Sequence, residues 1–320
     1  MIAIFTESLS STGLGHLGRC TALAEILIES GQKVELILHS DGTGTDKVFD
    51  FPVEIIDWKN SDLLSGFLDK NEIQLAVVDS YLAEKNTYEI IYQKLKKLIS
   101  IDDTNRISYP AGSTILNPGF GGQYLSYDTK RNLILTGAEY VLLRKPFREK
   151  FALPEIKPEI ESVLITMGGS DLLNLTPKIL EILVKRYPDK SKEIVVGPAF
   201  HNIDTIKSIS DEKTVLHQGL SAESMRDLML SVDLAITAGG QTTYELARCG
   251  VPMIIIKTID NQEGNVRGFN ELGMPIISGY KNNFKFPDQL SEKLTGLELY
   301  EQRKIQRDRF LKEGLIFKSD

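Results

Sequence analysis

A histidine set among glycines near the N-terminus is the first feature that could do chemistry. Residues 13–20 read GLGHLGRC, follow the apolar run MIAIF and open a stretch with helical periodicity. A helix that begins at this turn directs unpaired backbone N–H groups at a ligand above the strand ends. His16 lies at the helix start, where the dipole favours the neutral imidazole of a general base. We predict that His16 is catalytic and that Gly13 and Gly15 contact the substrate.

The same turn also has a purely structural interpretation. Glycine-rich first turns are common in doubly wound folds, and a histidine at such a position can simply cap a helix. Arg19, one turn farther along, fits an ion-paired or solvated side chain better than a ligand contact. Catalysis at this turn is therefore a prediction that needs support from the rest of the chain.

A glycine pair in the second half predicts a site for a nucleoside diphosphate. Gly239 and Gly240 follow the apolar run DLAITA and precede a predicted helix near Thr242. Backbone N–H groups at such a turn can meet a pyrophosphate, and the helix start adds a favourable partial charge. Glu245 can accept hydrogen bonds from both hydroxyls of a ribose. The alternative for Glu245, an acidic residue stabilised by the helix dipole, explains the charge but not the glycines.

Two more segments of the second half end at the same kind of position. The run SVLITMGGSD places Gly168, Gly169 and Ser170 in another turn between a strand and a helix. Asn261 and Gln262 follow the buried run MIIIK, so we expect their amides at the same edge of the sheet.

Polar residues also follow the predicted strands of the first half. Asp79 and Tyr81 follow one strand, and Asp102 and Asp103 follow the next. A phenol at this edge can bind a sugar or steer a proton, and packing is an equal alternative for Tyr81. Aspartate after a strand often caps the following helix, so for Asp102 and Asp103 we favour a structural role over direct chemistry.

The elements that must position these residues are strands alternating with helices along the whole chain. Such alternation is typical of parallel βαβ units, whose functional loops lie at the carboxyl ends of the strands. Charge and proline interrupt the apolar patterns near residue 147. We therefore predict an α/β protein with two facing Rossmann-like domains, residues 1–146 and 147–320, and a ligand-binding cleft between them.

Composition and charge restrict the class of protein. The 320 residues are 42% hydrophobic and 25% charged, as in a globular protein, and the net charge of −7 argues against nucleic acid as a partner. The apolar runs are too short for a membrane span, and MIAIF is no signal peptide, so we expect a cytoplasmic location. Cys20 and Cys249 lack metal-ligand spacing. We expect two buried thiols, with a bridge as the alternative, and neither a metal nor a cofactor.

The motifs together resemble one family of nucleotide-sugar enzymes. GLGHLGRC, VVDSY, IDDT, ILNP, MGGSD and AGGQTTYELA occur in this order over nearly the whole chain. They are similar to the PseG family, the UDP-sugar hydrolases of pseudaminic acid biosynthesis, and related spore-coat polysaccharide proteins share the pattern. This family resembles the transferase MurG, which implies the GT-B arrangement of two Rossmann-like domains.

The resemblance implies an activity and a role for each site residue. The activity is hydrolysis of UDP-2,4-diacetamido-2,4,6-trideoxy-β-L-altropyranose to UDP and the free sugar. His16 matches the base that activates water, Tyr81 an active-site tyrosine and Asn261, beside Gln262, a substrate-binding asparagine. The implied UDP-binding residues are Gly168, Gly169, Ser170, Gly239, Gly240, Thr242 and Glu245. The implied partner is a small-molecule UDP-sugar, and transient contact with neighbouring enzymes of the pathway is left open.

Three other functions stay open at the level of sequence. A MurG-like transferase would use His16 to deprotonate an acceptor hydroxyl, although we find no membrane-docking segment. A binding protein would hold the UDP-sugar without turnover, which leaves the histidine unexplained. A hydrolysing 2-epimerase would change the configuration at C2. Hydrolysis itself needs only a base-activated water opposite UDP, which is already a good leaving group, and this attack inverts the anomeric centre.

Overall fold

Two sheets of parallel strands organise the chain, one in each half. The computed structural model describes residues 1–10, 14–45, 49–278 and 285–317. The chain divides into two units, Met1–Lys145 and Pro146–Asp320.

The first unit has a seven-stranded sheet in the order β3-β2-β1-β4-β5-β6-β7, with all neighbours parallel. Its strands are β1 (Ile2–Ser8), β2 (Val34–Ser40), β3 (Val53–Ile55), β4 (Leu75–Asp79), β5 (Leu98–Ile101), β6 (Thr114–Pro118) and β7 (Leu133–Gly137). Its helices are α1 (Gly15–Glu29), α2 (Ser61–Lys70) and α3 (Lys85–Leu95), with 3-10 turns at Phe120–Tyr124 and Ala138–Tyr140. The short helix α4 (Lys145–Arg148) begins at the last residue of this unit.

Strand β1 is an internal strand of this sheet, between β2 and β4, and all seven of its residues are buried. Its alternate side chains point to opposite faces and so serve two cores. Ile4 packs with Leu17 of α1 on one face, and Phe5 packs with Trp58 on the other. Trp58 is fully buried and its Nε1 donates to the Thr6 carbonyl at 2.9 Å, so its one polar atom is satisfied.

The strand order runs outward from β1 on both sides, with β2 as one neighbour and β4 as the other. Beside such a reversal of strand order, the loops at the carboxyl ends diverge and leave room for a ligand. Helix α1 follows β1 and begins at Gly15, as the sequence predicts. Among the described residues, Gly15, His16, Asp79 and Tyr81 lie at this edge.

The second unit repeats the plan with a six-stranded parallel sheet in the order β10-β9-β8-β11-β12-β13. Its strands are β8 (Ser162–Thr166), β9 (Ser191–Val196), β10 (Thr214–Gln218), β11 (Leu234–Ala238), β12 (Met253–Ile256) and β13 (Ile276–Ile277). Its helices are α5 (Thr176–Arg186), α6 (Ile203–Ile209), α7 (Ala222–Ser231), α8 (Thr242–Arg248), α9 (Glu263–Glu271), α10 (Phe286–Glu298) and α11 (Tyr300–Lys312), with a 3-10 turn at Asp260–Gln262.

Two buried arginines of the second unit, Arg303 and Arg248, bind residues of its first segment, 151–158. Arg303 is fully buried and donates to the carbonyls of Lys157 and Pro158 at 2.7 and 2.9 Å. Arg248 lies between the rings of Phe151 and Phe317, with its guanidinium carbon 4.1 and 4.2 Å from their centroids. Guanidinium groups suit both tasks because they carry several fixed donors and a flat face.

No helix among the described residues is both long and apolar enough to pass through a lipid bilayer.

Candidate functional site

The histidine predicted as a base occupies the start of α1, where 4% of the residue is exposed. The N-cap residue Leu14 contributes no side-chain hydrogen bond to the first N–H groups of the helix. Gly15 is the first helical residue, and a Cβ there would meet no atom within 4 Å. Gly13, the other predicted substrate contact, lies outside the described residues.

His16 and Asp79 form a buried hydrogen-bonded pair. Asp79 ends β4, is 0% exposed, and has Oδ1 2.7 Å from His16 Nδ1. An ionised carboxylate can only accept, so Nδ1 carries the shared proton and a neutral imidazole keeps its lone pair on Nε2. The pair thus offers Nε2 as the nitrogen that can take up a proton.

Arg19 keeps the Asp79 carboxyl group ionised. Its Nε and Nη2 donate to the two carboxylate oxygens at 2.5 and 2.7 Å. Burial alone would raise the pKa of Asp79, but the charges and hydrogen bonds of Arg19 and His16 hold that pKa well below its usual range. The sequence analysis expected Arg19 to be ion-paired or solvated; it is ion-paired, and its side chain is only 12% exposed.

Tyr81 and Asp103 complete this first-unit cluster. Tyr81 donates from its hydroxyl to Asp103 Oδ2 at 2.8 Å, and Arg19 Nη1 donates to the same oxygen at 2.6 Å. The Tyr81 ring meets the His16 ring edge to face, with centroids 4.4 Å apart. The loops after β4 and β5 therefore meet helix α1 around His16, and Asp103 is held there by Arg19 and Tyr81.

Glu7 fixes the loop that carries Tyr81. This carboxylate in the middle of the sheet is fully buried, accepts from Ser80 Oγ at 2.5 Å and accepts from the Tyr81 backbone N–H at 3.1 Å. Ser80 Oγ in turn accepts from the backbone N–H groups of Leu82 and Ala83. The sequence analysis missed Glu7; its signal is an acidic residue two positions after the apolar run MIAIF, within the same buried strand.

In the second unit, the predicted glycine pair lies in the loop between β11 and α8. Asn265 holds this loop by donating from Nδ2 to the Gly239 carbonyl at 2.8 Å and to Thr243 Oγ1 at 3.1 Å. A Cβ on Gly239 would lie 2.4 Å from Val266, so only glycine fits this approach to α9. The sequence analysis did not single out Asn265, although this amide lies only three residues after the predicted Gln262.

The two predicted amides beyond β12 differ in their surroundings. Gln262 accepts through Oε1 from the Thr258 N–H at 2.8 Å, and its Nε2 lies 3.8 Å from the position of a Cβ on Gly240. Asn261 is exposed. The structure thus brings Gln262 to the glycine pair, and Gln262 also shapes its own loop.

The remaining glycines lie in the loop after β8. Gly168 has a left-handed φ of 81°, and added Cβ atoms on Gly168 or Gly169 would meet nothing within 4 Å. A Cβ on Gly197 would instead lie 2.5 and 2.4 Å from the carbonyl oxygens of Gly168 and Gly169. Asp171 closes the loop by accepting from the N–H groups at Leu175 and Thr176, both at 2.9 Å. Ser170 lies in the same loop.

Thr242 and Glu245 lie on α8, and Thr242 is its first residue. Glu245 is 3% exposed. Its position in the first turns of the helix is the predicted one, and its proposed contact with a ribose stays a prediction.

Both cysteines are free and buried, as expected. Burial raises the pKa of Cys249 to about 12 and also raises the pKa of Cys20 well above its usual range, so both thiols are protonated near neutral pH. Within the described parts of the chain, no group of three or more histidine, cysteine, aspartate or glutamate side chains is arranged to hold a metal ion.

Known proteins with similar sequences bear the names that the motifs suggest. Spore coat polysaccharide biosynthesis protein SpsG of Bacillus subtilis is 22% identical over 302 residues, covering 87% of this chain and 83% of SpsG. A Helicobacter pylori protein, pseudaminic acid cytidylyltransferase and UDP-2,4-diacetamido-2,4,6-trideoxy-beta-L-altropyranose hydrolase, is 26% identical over 282 residues, covering 85% of this chain and 47% of its own length. The chain is a distant homologue of both.

A third relative is uncharacterized protein MJ1062 of Methanocaldococcus jannaschii, 27% identical over 271 residues that cover 80% of this chain and 55% of that protein. The chain thus spans about half the length of the archaeal and H. pylori relatives. No protein-family model matches the chain.

Solved structures share the fold. MurG of Acinetobacter baumannii superposes with a TM-score of 0.65 at 13% identity, covering 96% of this chain and 94% of MurG. UGT2 of Phytolacca americana, solved with UDP-2-fluoro-glucose and pterostilbene, gives a TM-score of 0.66 at 12% identity over 98% of this chain and 94% of UGT2. These are GT-B glycosyltransferases, and the predicted α/β fold with two Rossmann-like domains is confirmed.

The close approach at Gly197 gives a test of loop packing. We expect Gly197→Ala to lower the free energy of unfolding by about 1–3 kcal/mol, because its Cβ meets backbone carbonyls that cannot rotate away. Gly169→Ala is the matched control, since its Cβ enters open space. Urea denaturation followed by circular dichroism measures both; equal stability of the two variants would contradict the assigned contact.

The Asp79 carboxylate gives a pH-dependent test. We expect Asp79→Asn to lower the free energy of unfolding at pH 7 by about 3 kcal/mol, the lower end for a broken buried pair, because Arg19 retains Asp103. Since the folded pKa of Asp79 lies below the unfolded one, its stabilisation is complete above about pH 4 and is lost as the pH falls through the folded pKa.

The difference between wild type and Asp79→Asn should therefore shrink as the pH falls below about 4, in urea titrations at several pH values. Asp69→Asn is the control, because that carboxylate is exposed in its ion pair with Lys94 and should matter little. A difference that stays constant with pH would show that the charge of Asp79 does not carry the stabilisation.

Proposed function

We propose that the chain is a nucleotide-sugar enzyme of polysaccharide biosynthesis that hydrolyses UDP-2,4-diacetamido-2,4,6-trideoxy-β-L-altropyranose. The observation that carries the proposal is the His16–Asp79 pair at 2.7 Å, at the carboxyl edge of a parallel sheet. A carboxylate-oriented imidazole of this kind suits a general base. The distant homologue from H. pylori, named in part as the hydrolase of this UDP-sugar, supports the choice of substrate.

In the proposed reaction, His16 Nε2 takes a proton from water as the water oxygen bonds to the anomeric carbon. The bond from that carbon to the UDP oxygen breaks, and its electron pair leaves with UDP. Attack from the opposite face inverts the anomeric centre. Asp79 stabilises the imidazolium that forms, and the proton then passes to solvent.

Tyr81 has two proposed roles in this reaction. Its ring packs against His16 and its hydroxyl is held by Asp103, so it fixes the imidazole plane. We also assign it to contact with the sugar, together with Asn261, Gln262, Gly13 and Gly15.

The second unit is assigned to the UDP group. Backbone N–H groups in the two glycine loops can meet the charge that develops on the leaving diphosphate. The proposed UDP-binding residues are Gly168, Gly169, Ser170, Gly239, Gly240, Thr242 and Glu245. Asn265 and Asp171 support these loops from behind, through their contacts with backbone groups.

Glycosyl transfer is the second candidate function, since the chain shares its fold with glycosyltransferase structures. A transferase would use the same imidazole to deprotonate an acceptor hydroxyl instead of water. The deciding experiment incubates the protein with the UDP-sugar donor, without acceptor, and follows the products by proton NMR. Free sugar with inverted configuration at C1 supports hydrolysis. An intact donor that is consumed only after an acceptor is added supports transfer.

Removing the imidazole should separate catalysis from binding. We expect His16→Ala to lower turnover by about 10²–10⁴-fold, because the water loses its base, while the Kd for UDP stays near the wild-type value. His39→Ala is the control. His39 also pairs with an aspartate, Asp57, but it lies on strand β2 and has no proposed role in the reaction. Turnover and calorimetric UDP titrations measure the two effects, and a fully active His16→Ala protein would reject His16 as the base.

The ribose contact can be tested with a matched ligand. We expect Glu245→Gln to weaken UDP binding about 10-fold or more, because charge-assisted hydrogen bonds to the ribose are lost. Wild type should discriminate against 2′-deoxy-UDP, and Glu245→Gln should lose most of that discrimination. Equal discrimination in both proteins would assign Glu245 to helix structure and not to the ribose.

A further inference from the structure

The charges around His16 are arranged unusually for a simple histidine–carboxylate pair. In addition to accepting from His16, the Asp79 carboxylate binds a guanidinium through both of its oxygens. One nitrogen of that guanidinium, Arg19 Nη2, lies 3.4 Å from His16 Nδ1. The same guanidinium also binds Asp103, whose side chain is 21% exposed. One cation is thus shared by two carboxylates beside the proposed base.

The net charge of the cluster predicts how Arg19 and Asp103 affect the protonation of His16. With neutral His16, the three ions sum to a net charge of −1, so a proton on the imidazole would bring the cluster to zero. Without Arg19 the cluster would carry −2 and would favour the imidazolium more strongly. Without the Asp103 charge, Arg19 would fully compensate Asp79 and the neutral imidazole would be favoured.

Other groups around His16 do not reverse this count. Cys20 follows Arg19 on α1 and is a buried, protonated thiol. Tyr81, from the loop after β4, donates its hydroxyl hydrogen to Asp103. Glu7, on β1, has its two carboxylate oxygens occupied by Ser80 Oγ and the Tyr81 N–H.

We propose that Arg19 and Asp103 set the protonation state of His16 with opposite signs, Arg19 favouring the neutral base and Asp103 favouring the imidazolium. The functional meaning rests on the proposed role of His16 as the base. Arg19 keeps the resting imidazole able to accept a proton, although a carboxylate lies 2.7 Å away. Asp103 offsets part of the positive charge of Arg19, so that the imidazolium formed during turnover is still stabilised. Both are positioning residues, because they act on the reaction through His16.

NMR titration of isotope-labelled histidine in the full chain tests this directly and without substrate. The sequence has four histidines, so each signal can be assigned by single substitution. We expect the His16 midpoint to lie about 0.5–1 pH unit lower in Asp103→Asn than in wild type. In Arg19→Gln it should lie about 1 pH unit or more higher, whereas Arg19→Lys, which keeps the charge, should stay near wild type.

Asp57→Asn is the matched control, because it removes a carboxylate beside His39 and should move only the His39 signal. Circular dichroism checks that each variant is folded. Asp103 is partly exposed and its replacement by asparagine is isosteric, so this variant keeps the test valid if Arg19→Gln does not fold.

Shifts of opposite sign in the Asp103→Asn and Arg19→Gln proteins support the proposal, since lost packing alone would not make the sign of each shift follow the sign of the charge removed. An unchanged or raised midpoint in Asp103→Asn, or a His16 signal that titrates in no variant, overturns it. The pH dependence of kcat/KM should follow the same order if His16 is the base. Failure of the proposed function appears separately, as opposite NMR shifts in a protein that does not hydrolyse the UDP-sugar.

Discussion

The buried carboxylate of Asp79 is the constraint on which the first-unit cluster depends. A charge with no exposure to solvent is costly unless it is paired and hydrogen-bonded, and here Arg19 and His16 satisfy both of its oxygens. Both partners come from the first two turns of α1. The position of that helix against β4 is therefore fixed by electrostatics as well as by apolar packing, and the orientation of the imidazole follows from the same contacts.

Support for this arrangement extends inward from the site to the middle of the sheet. Glu7 lies on β1, next to β4, and accepts from the backbone N–H of Tyr81. The Tyr81 ring in turn packs against the imidazole of His16. Asp103 reaches the cluster from the loop after β5, the strand on the other side of β4. Strands β1 and β4 and the loop after β5 thus contribute one carboxylate each. Parallel pairing makes this possible, because it brings all three carboxyl ends to one edge.

The sequence predicts the elements and the loops well, and the pairings poorly. Strand and helix periodicity is local, so the turn at His16 and the strand ends at Asp79 and Asp103 can be located from the residues themselves. The contacts of Arg19 with Asp79 and Asp103 join residues 60 and 84 positions apart. Nothing local distinguishes these aspartates from helix caps. Glycines behave likewise: Gly197 and Gly169 look equivalent in sequence, yet only one has no room for a Cβ.

The same physics explains why hydrolysis and glycosyl transfer are hard to tell apart at this site. Water and a sugar hydroxyl lose their proton to an imidazole in the same way, so the cluster around His16 suits either nucleophile. Fold similarity at 12–13% identity speaks only to the scaffold on which the cluster is built. What separates the two reactions is which nucleophile reaches Nε2, and that depends on access to the imidazole and not on its basicity. A change in His16 protonation should therefore slow both reactions alike, whereas a change that blocks the access of one nucleophile to Nε2 should alter the choice between them.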